Sequence, residues 1–376
     1  MKKIFLLIDE SQYDKNWSLT GKIIYDKNEN IFMIFTGSSA LNLEYNADAS
    51  RRMLKKIITP LNYNQHLKLK YNIDLNHISE ALEKIIFTGE IKEAINYEKE
   101  AKSTIINNIN YSSYDWNEYF KYGGFPFLFN DSNPLDITSK LIDICEKIVN
   151  TDMINIKNFT AENQANAKRI LRFIALQEPG EASQAKLSNY LKTSTGNVKN
   201  ILDILEKTQL LVHCEPYGGE AKRIKKSWKY YFATPSLHNV LSSKYGNNLK
   251  NSNEYEGILL ENLVASTLFN IRNRKNNHFH IYYDVNKKNN VDFIIKKDFE
   301  NPIPIEVGHG NKNKNKLLMQ LKDIKQIMVL LSQIKQHQFK KRIILFLFLK
   351  RLFLYCNMCY TNAIFKSFII ITNIER

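Results

Sequence analysis

Ile4-Phe5-Leu6-Leu7-Ile8-Asp9-Glu10 decides how this chain is read: five consecutive apolar residues end in two carboxylates. A strand covered on both faces has no polar side, so an unbroken apolar run of this length is the pattern of a buried parallel strand. Ile31-Phe32-Met33-Ile34-Phe35 repeats it, with helix-compatible residues between the two runs near Leu19–Tyr25. Residues 1–60 are therefore expected to open an α/β sheet. The second run passes straight into Thr36-Gly37-Ser38-Ser39. Polar groups at strand C-termini are where open α/β sheets bind ligands.

Further along, the pattern turns helical from Leu75 to about Asn150, broken by Tyr122-Gly123-Gly124-Phe125-Pro126. The Gly pair and the Pro stop any regular element there. Ile170, Leu171, Ile174 and Ala175 set one apolar helix face; Leu187, Tyr190 and Leu191 set a second, and Val198, Ile201, Leu202 and Leu205 a third. Ser194 is the N-cap expected for the third helix. Val212–Glu215 and Trp228–Ala233 are the arms of a hairpin about Gly218-Gly219. Three helices closed by such a hairpin predict a winged helix-turn-helix. Beyond a polar linker at Asn247–Asn253, a helix over Gly257–Ile271 and runs at His280–Tyr283, Val291–Lys296 and Ile303–Val307 return to α/β.

A chain of 376 residues exceeds one ordinary core, and 44% hydrophobic with 24% charged residues excludes a largely disordered or polytopic membrane protein. The net charge of +15 is unevenly placed: residues 307–376 hold 13 Lys/Arg against only Asp323 and Glu375. The first 306 residues are thus near charge balance, which gives no wide footprint for nucleic acid. Four cysteines cannot build a disulfide scaffold and suit a reducing cytosol, so a cytoplasmic location is expected. Cys356 and Cys359 form a C-x-x-C without the second ligand pair that zinc wants. The apolar run after Lys2-Lys3 is too short for a signal peptide, and Ile343–Leu349 is far below the roughly 20 residues that span a bilayer.

The chemistry starts at Asp9-Glu10. In a nucleotide-hydrolysing sheet the first acid holds magnesium through water and the second polarises the attacking water; two acids also end many ordinary strands. Thr36, Ser38 and Ser39 fit either a phosphate sensor or a helix cap. Arg51-Arg52 fit either a guanidinium reaching a neighbouring subunit's phosphate or a solvated basic pair.

Taken together, Leu7-Ile8-Asp9-Glu10-Ser11-Gln12, Trp17, Phe35-Thr36-Gly37-Ser38-Ser39, Arg51-Arg52, Pro60-Leu61 and Gly123-Gly124-Phe125-Pro126 resemble a prokaryotic AAA+ ATPase family. The resemblance implies a partial P-loop NTPase sheet with a Walker B pair, sensor strand and arginine finger (1–70), then a helical lid (71–160). A winged helix (161–246) and a restriction-endonuclease-like α/β domain (254–327) follow. It also implies ATP and magnesium as cofactors: Asp9 coordinates magnesium, Glu10 activates water, Ser38 or Ser39 senses phosphate, and Arg51 or Arg52 acts as finger between copies of a homo-oligomer. The G-x-x-x-x-G-K-[ST] phosphate cradle is missing, since Gly21-Lys22-Ile23 lacks the upstream Gly and the Ser/Thr and lies on the wrong side of Asp9. A truncated member with weak or absent turnover is expected.

Glu261, Asp292 and Glu306 match the acid spacing of the PD-(D/E)XK nuclease-like fold, whose carboxylates bind magnesium and whose Lys follows the last acid by two residues. Gly308 stands at that position, so a degenerate site is expected. For DNA, Lys199 and Asn200 are candidates to face a major groove, and Lys222, Arg223, Lys225 and Lys226 to form a basic wing on phosphates. The rival function is a nucleotide-independent DNA-binding protein. Residues 328–376 hold one acid, Glu375, and no sustained period through Arg342–Phe353. They are read as a tail in a shifted reading frame, leaving the last domain short of a strand; the alternative is an amphipathic basic helix on a partner or membrane surface.

Overall fold

The computed structural model describes residues 3–37, 53–54, 56–75, 80, 86–87, 92–153, 159–177, 181–246, 252–274, 279–285, 291–309 and 367–371. Strands β1 (Ile4–Ile8) and β2 (Ile31–Phe35) pair in parallel, Ile4 opposite Ile31 and Ile8 opposite Phe35, joined by helix α1 (Trp17–Lys27). This is the βαβ unit expected from the two apolar runs. Gly21 is buried on α1, and a Cβ there would come within 2.8 Å of the Phe35 ring, so glycine lets the helix settle onto β2. Trp17 adds a ring contact to Phe35 at 5.3 Å between centroids. The face carrying Phe5, Leu7 and Phe32 is open, at 67, 75 and 57% exposure.

A helical stretch follows: α2 (Tyr63–Tyr71), α3 (Lys92–Ile106), α4 (Asp115–Tyr122) and α5 (Pro134–Lys147). Asn62 starts α2 with a capping box, its side chain accepting from Gln65 N while the Gln65 side chain accepts from Asn62 N. Next come α6 (Ala161–Leu176), the two-residue strand β3 (Glu181–Ala182), α7 (Gln184–Leu191) and α8 (Thr195–Lys207), whose cap is Ser194. Strands β4 (Leu211–Pro216) and β5 (Trp228–Phe232) form the expected antiparallel hairpin, but a short helix α9 (Glu220–Lys225) lies between them. Helix α10 (Pro235–Lys244) leads to α11 (Ser252–Arg274).

The last strands are β6 (His280–Tyr283), β7 (Phe293–Lys296), β8 (Ile303–His309) and β9 (Ser367–Ile371). They do not make a separate sheet. One seven-stranded sheet runs β3-β5-β4-β6-β7-β8-β9, because the end of β4 pairs in parallel with β6, Glu215 opposite Tyr282. The edge expected to lack a strand is taken by β9, antiparallel to β8.

Two large cores result. One unites Trp116, Tyr119 and Phe120 of α4 with Tyr231 of β5, the apolar side of α11 and the inner faces of β6–β8. The other packs α5, α6, α7, α8 and α10 around Leu141, Ile170, Leu187, Ile201 and Phe232. Burial thus crosses the boundaries at 160 and 246, because the helical stretch supplies large aromatic side chains to both neighbours.

Candidate functional site

Parallel pairing in register carries Ile8 and Phe35 to adjacent strand ends, so the next residues, Asp9 and Thr36, meet. The ends are stitched by Thr36 N donating to Ile8 O at 2.8 Å and Ser11 N donating to Thr36 O at 2.9 Å. Thr36 Oγ1 donates to Asp9 Oδ1 in a short hydrogen bond, and Glu10 N donates to the same oxygen at 2.9 Å. Thr36, then the Glu10 amide, hold the Asp9 carboxyl below its ordinary range, although it is exposed. Both bonds fall on Oδ1, which leaves Oδ2 without a bond among the described residues.

Glu10 sits in the left-handed region at φ +51°, a conformation that costs a non-glycine residue about 1 kcal/mol. Its exposed side chain lies near Asp152, at the end of the turn that follows α5. Burial raises the Asp152 carboxyl first, the Glu10 charge adds to the rise, and Lys147 opposes it. Ser38, Ser39, Arg51 and Arg52 lie outside the described residues.

The second constellation lies on the long sheet. Phe293 pairs with Ile305 in antiparallel register, so Asp292 stands opposite Glu306. Glu261 reaches toward this pair from α11: its charge and that of Asp292 interact, and burial followed by Asp292 lifts the Glu261 carboxyl above the usual carboxylate range. Glu261 is also engaged from β5, with Tyr231 Oη donating to Oε1 at 2.8 Å and Lys229 Nζ at 3.6 Å. Asp292 Oδ2 accepts from Val307 N at 2.5 Å. Among the described residues no group of three or more His, Cys, Asp or Glu side chains is placed to hold a metal ion. The three acids expected to be metal ligands are neighbours, but they do not form a ligand set as they stand.

Of the residues expected to meet DNA, Lys199 and Asn200 are exposed on α8, Lys222 is exposed on α9 and Lys226 is exposed at its C-cap. Lys225 lies at the end of α9. Arg223 turns onto the sheet, 3.5 Å from Glu215 Oε2, 3.5 Å from the Tyr282 hydroxyl and 5.8 Å from that ring's centre.

Lys229 and Tyr231 do not stand out in the sequence, because each reads as one more residue of a hairpin arm. The hub around Gly123-Gly124 is equally hidden. Leu61 N donates to Gly124 O, Tyr119 Oη donates to Leu61 O, Ser236 Oγ donates to Gly123 O, and Asn270 Nδ2 donates to Thr59 Oγ1. Gly124 adopts φ +101°, which an L side chain rarely tolerates. The signal for this hub is the Gly pair itself and the asparagines on the apolar helix α11.

Comparison with known proteins places three family matches along the chain: an AAA domain over residues 1–67, a domain of unknown function (DUF8612) over 113–249, and a domain of unknown function (DUF4143) over 256–347. An uncharacterized protein of Methanocaldococcus jannaschii is 32% identical over 86% of this chain and 65% of its own length. An uncharacterized protein of Haemophilus influenzae is 24% identical over 70% of this chain and 57% of its own. A second uncharacterized M. jannaschii protein is 24% identical over 82% and 63%. The chain therefore spans less than two thirds of the length of these relatives. No solved structure matches. The AAA domain match covers β1, α1 and β2 with the Asp9–Thr36 pair, and it supports an AAA-like ATPase family. No helix among the described residues is long and apolar enough to cross a membrane.

Proposed function

We propose that this chain carries the acid-bearing half of a magnesium-dependent ATP-hydrolysing module of the AAA type. The observation that carries the reading is the Thr36–Asp9 hydrogen bond across the ends of two parallel strands. Thr36 fixes the Asp9 carboxylate and leaves Oδ2 open, which suits a magnesium ion held through water. Bound magnesium neutralises phosphate charge. Glu10, exposed and next in sequence, polarises the attacking water, while Ser38 or Ser39 senses the terminal phosphate. Arg51 or Arg52 reaches the site of a neighbouring copy in a homo-oligomer.

The donor set fits the metal better than it fits the nucleotide, because no G-x-x-x-x-G-K-[ST] occurs in this sequence and backbone amides with that Lys form most of a phosphate cradle. Weak or absent turnover by this chain follows. Titration with a fluorescent ATP analogue and magnesium should give a Kd weaker than about 1 μM, the equivalent of ~8 kcal/mol. Residual binding should fall further in Asp9→Ala. A tighter Kd refutes the weak-binding claim, and binding that Asp9→Ala leaves untouched refutes the site.

A second reading, DNA binding by a winged helix made of α6–α8 with the β4–β5 hairpin, is favoured by the exposure of Lys199 and Asn200 on α8. In that case neutralising Lys222, Lys225 and Lys226 together should weaken binding to all sequences alike. It should also flatten the plot of log affinity against log salt, by about 0.9 for each phosphate whose charge is no longer neutralised. A slope unchanged in the triple variant counts against this reading.

A further inference from the structure

A divalent-metal nuclease centre would draw carboxylate oxygens from more than one of the acids Glu261, Asp292 and Glu306 to one point. The acids of the long sheet are placed for something else. Glu261 Oε1 is taken by the Tyr231 hydroxyl and faces the Lys229 ammonium, Asp292 Oδ2 accepts from a backbone amide, and no metal-holding group exists among the described residues. Lys229 is fixed in this position from three directions. Its backbone pairs with Glu181 of β3 and Cys214 of β4, its ammonium lies 5.5 Å from the centre of the buried Tyr283 ring, and it ends at Glu261. The Tyr283 ring is itself pinned by its hydroxyl, which donates to Ser227 O. Only 12% of the Lys229 side chain and 16% of Glu261 is exposed, so the ammonium is largely desolvated and held beside the Glu261 carboxyl.

The sequence distance between these groups matters. Lys229 belongs to the hairpin that follows α8, whereas Glu261, Asp292 and Glu306 belong to α11 and strands β7–β8. A cation from one module thus stands 3.6 Å from an acid of the next, and that acid interacts with the charge of Asp292. We propose that Lys229 is the resident cation of the Glu261–Asp292–Glu306 cluster, making it an ion-paired joint between the hairpin and the C-terminal sheet rather than a divalent-metal nuclease centre. The position two residues after Glu306, where a nuclease-like site would carry its Lys, is Gly308, and the amine of this cluster comes from another strand and serves another purpose.

Thermal unfolding of the full chain in the presence of MnCl2 or of EDTA tests the joint, with Asp9→Ala in every protein so that the strand-end carboxylate does not contribute. The parent should melt at the same temperature in both. Lys229→Met should melt about 5 °C or more lower in EDTA, because removing one partner strands the other charges. MnCl2 should restore much of that loss, since the vacated position then admits an ion. The restoration should vanish in Lys229→Met with Glu261→Gln, and Lys229→Arg should stay near the parent. A metal centre predicts the reverse: a parent stabilised by MnCl2 by about 5 °C when the ion is present at a hundred times its Kd, and no such gain in Asp292→Asn. That result overturns the proposal, as does a Lys229→Met protein as stable as its parent. If Lys229→Met fails to fold, the parent and Glu261→Gln still decide: manganese insensitivity of both supports the joint, and stabilisation of the parent alone refutes it.

Discussion

Asp115 has no exposed surface, yet it carries a carboxylate. It survives there because three side chains from α2 converge on it: His66 Nε2 lies 3.1 Å from each oxygen, and Lys70 Nζ and Tyr71 Oη donate at 2.7 Å. Burial alone pushes the carboxyl up, but the bonds from His66, then Lys70 and Tyr71, outweigh it and bring it down to about 2. The Tyr71 hydroxyl moves the other way, pushed up to about 12 by its burial and by Asp115. Since the folded Asp115 titrates below the ordinary value of 3.8, its contribution is complete above about pH 4 and is lost as pH falls toward 2. A shift of this size is worth on the order of 2 kcal/mol. Asp115→Asn should lose about 3–5 kcal/mol in urea denaturation at neutral pH, because Lys70 loses its buried counter-charge and one of the two acceptors that face His66 becomes an NH2 donor. The variant should also show a flatter stability profile between pH 4 and 2 than the parent. A variant within about 1 kcal/mol of the parent would mean that the cluster is ornamental.

Elements differ in how much of them the sequence exposes. Strands β1 and β2 are legible because an unbroken apolar run is the pattern of a parallel strand, and the same logic places Asp9 and Thr36 at their ends; the burial that pattern predicts is not met, since Phe5, Leu7 and Phe32 stand exposed. Helix α8 is legible from Val198, Ile201, Leu202 and Leu205 and from Ser194, whose Oγ accepts from Asn197 N at 3.1 Å. Helix α9 is not, because Gly218-Gly219 signals a turn and nothing in Glu220–Lys225 announces that a helical turn follows before β5 begins. His66 and Asp115 stand 49 residues apart, and no periodicity links two polar side chains on different helices. The same holds for Lys229 and Glu261. Spacing rules report which face of an element a residue occupies; they are silent on which element that face will meet. Asp9 and Thr36 of the strand-end site are readable because one register brings them together, whereas the partners of Glu261 depend on the docking of α11 against the hairpin.

At the scale of the molecule, the polar stretch Asn247–Asn253 suggests two separable domains, yet the contacts that cross it are of the kind found inside one. Strands β4 and β6 share a sheet, and Asn262, fully buried on α11, clamps the backbone of Phe232 with Oδ1 accepting from its N at 3.0 Å and Nδ2 donating to its O at 2.8 Å. Tyr255 Oη donates to Asn239 Oδ1, and Asn270 reaches back to Thr59, just before the helical stretch. A buried amide satisfied at both ends costs more to separate than a surface hydrogen bond, because water must enter a site shaped for a peptide group. The apolar core joining Trp116, Tyr231, Leu259 and Phe293 would have to open in the same step. Cutting the chain at a protease site inserted within residues 247–251 should therefore leave the two pieces associated. The nicked protein is expected to elute from gel filtration at the position of the intact chain, and to separate only in denaturant, with one cooperative transition for both pieces. Asn262→Ala should weaken the nicked assembly more than the intact chain, since the covalent connection no longer holds the amide's neighbours close. Two independent peaks in native buffer would show that the shared sheet is too weak to act as one body, and the hairpin and C-terminal strands would then count as separate domains.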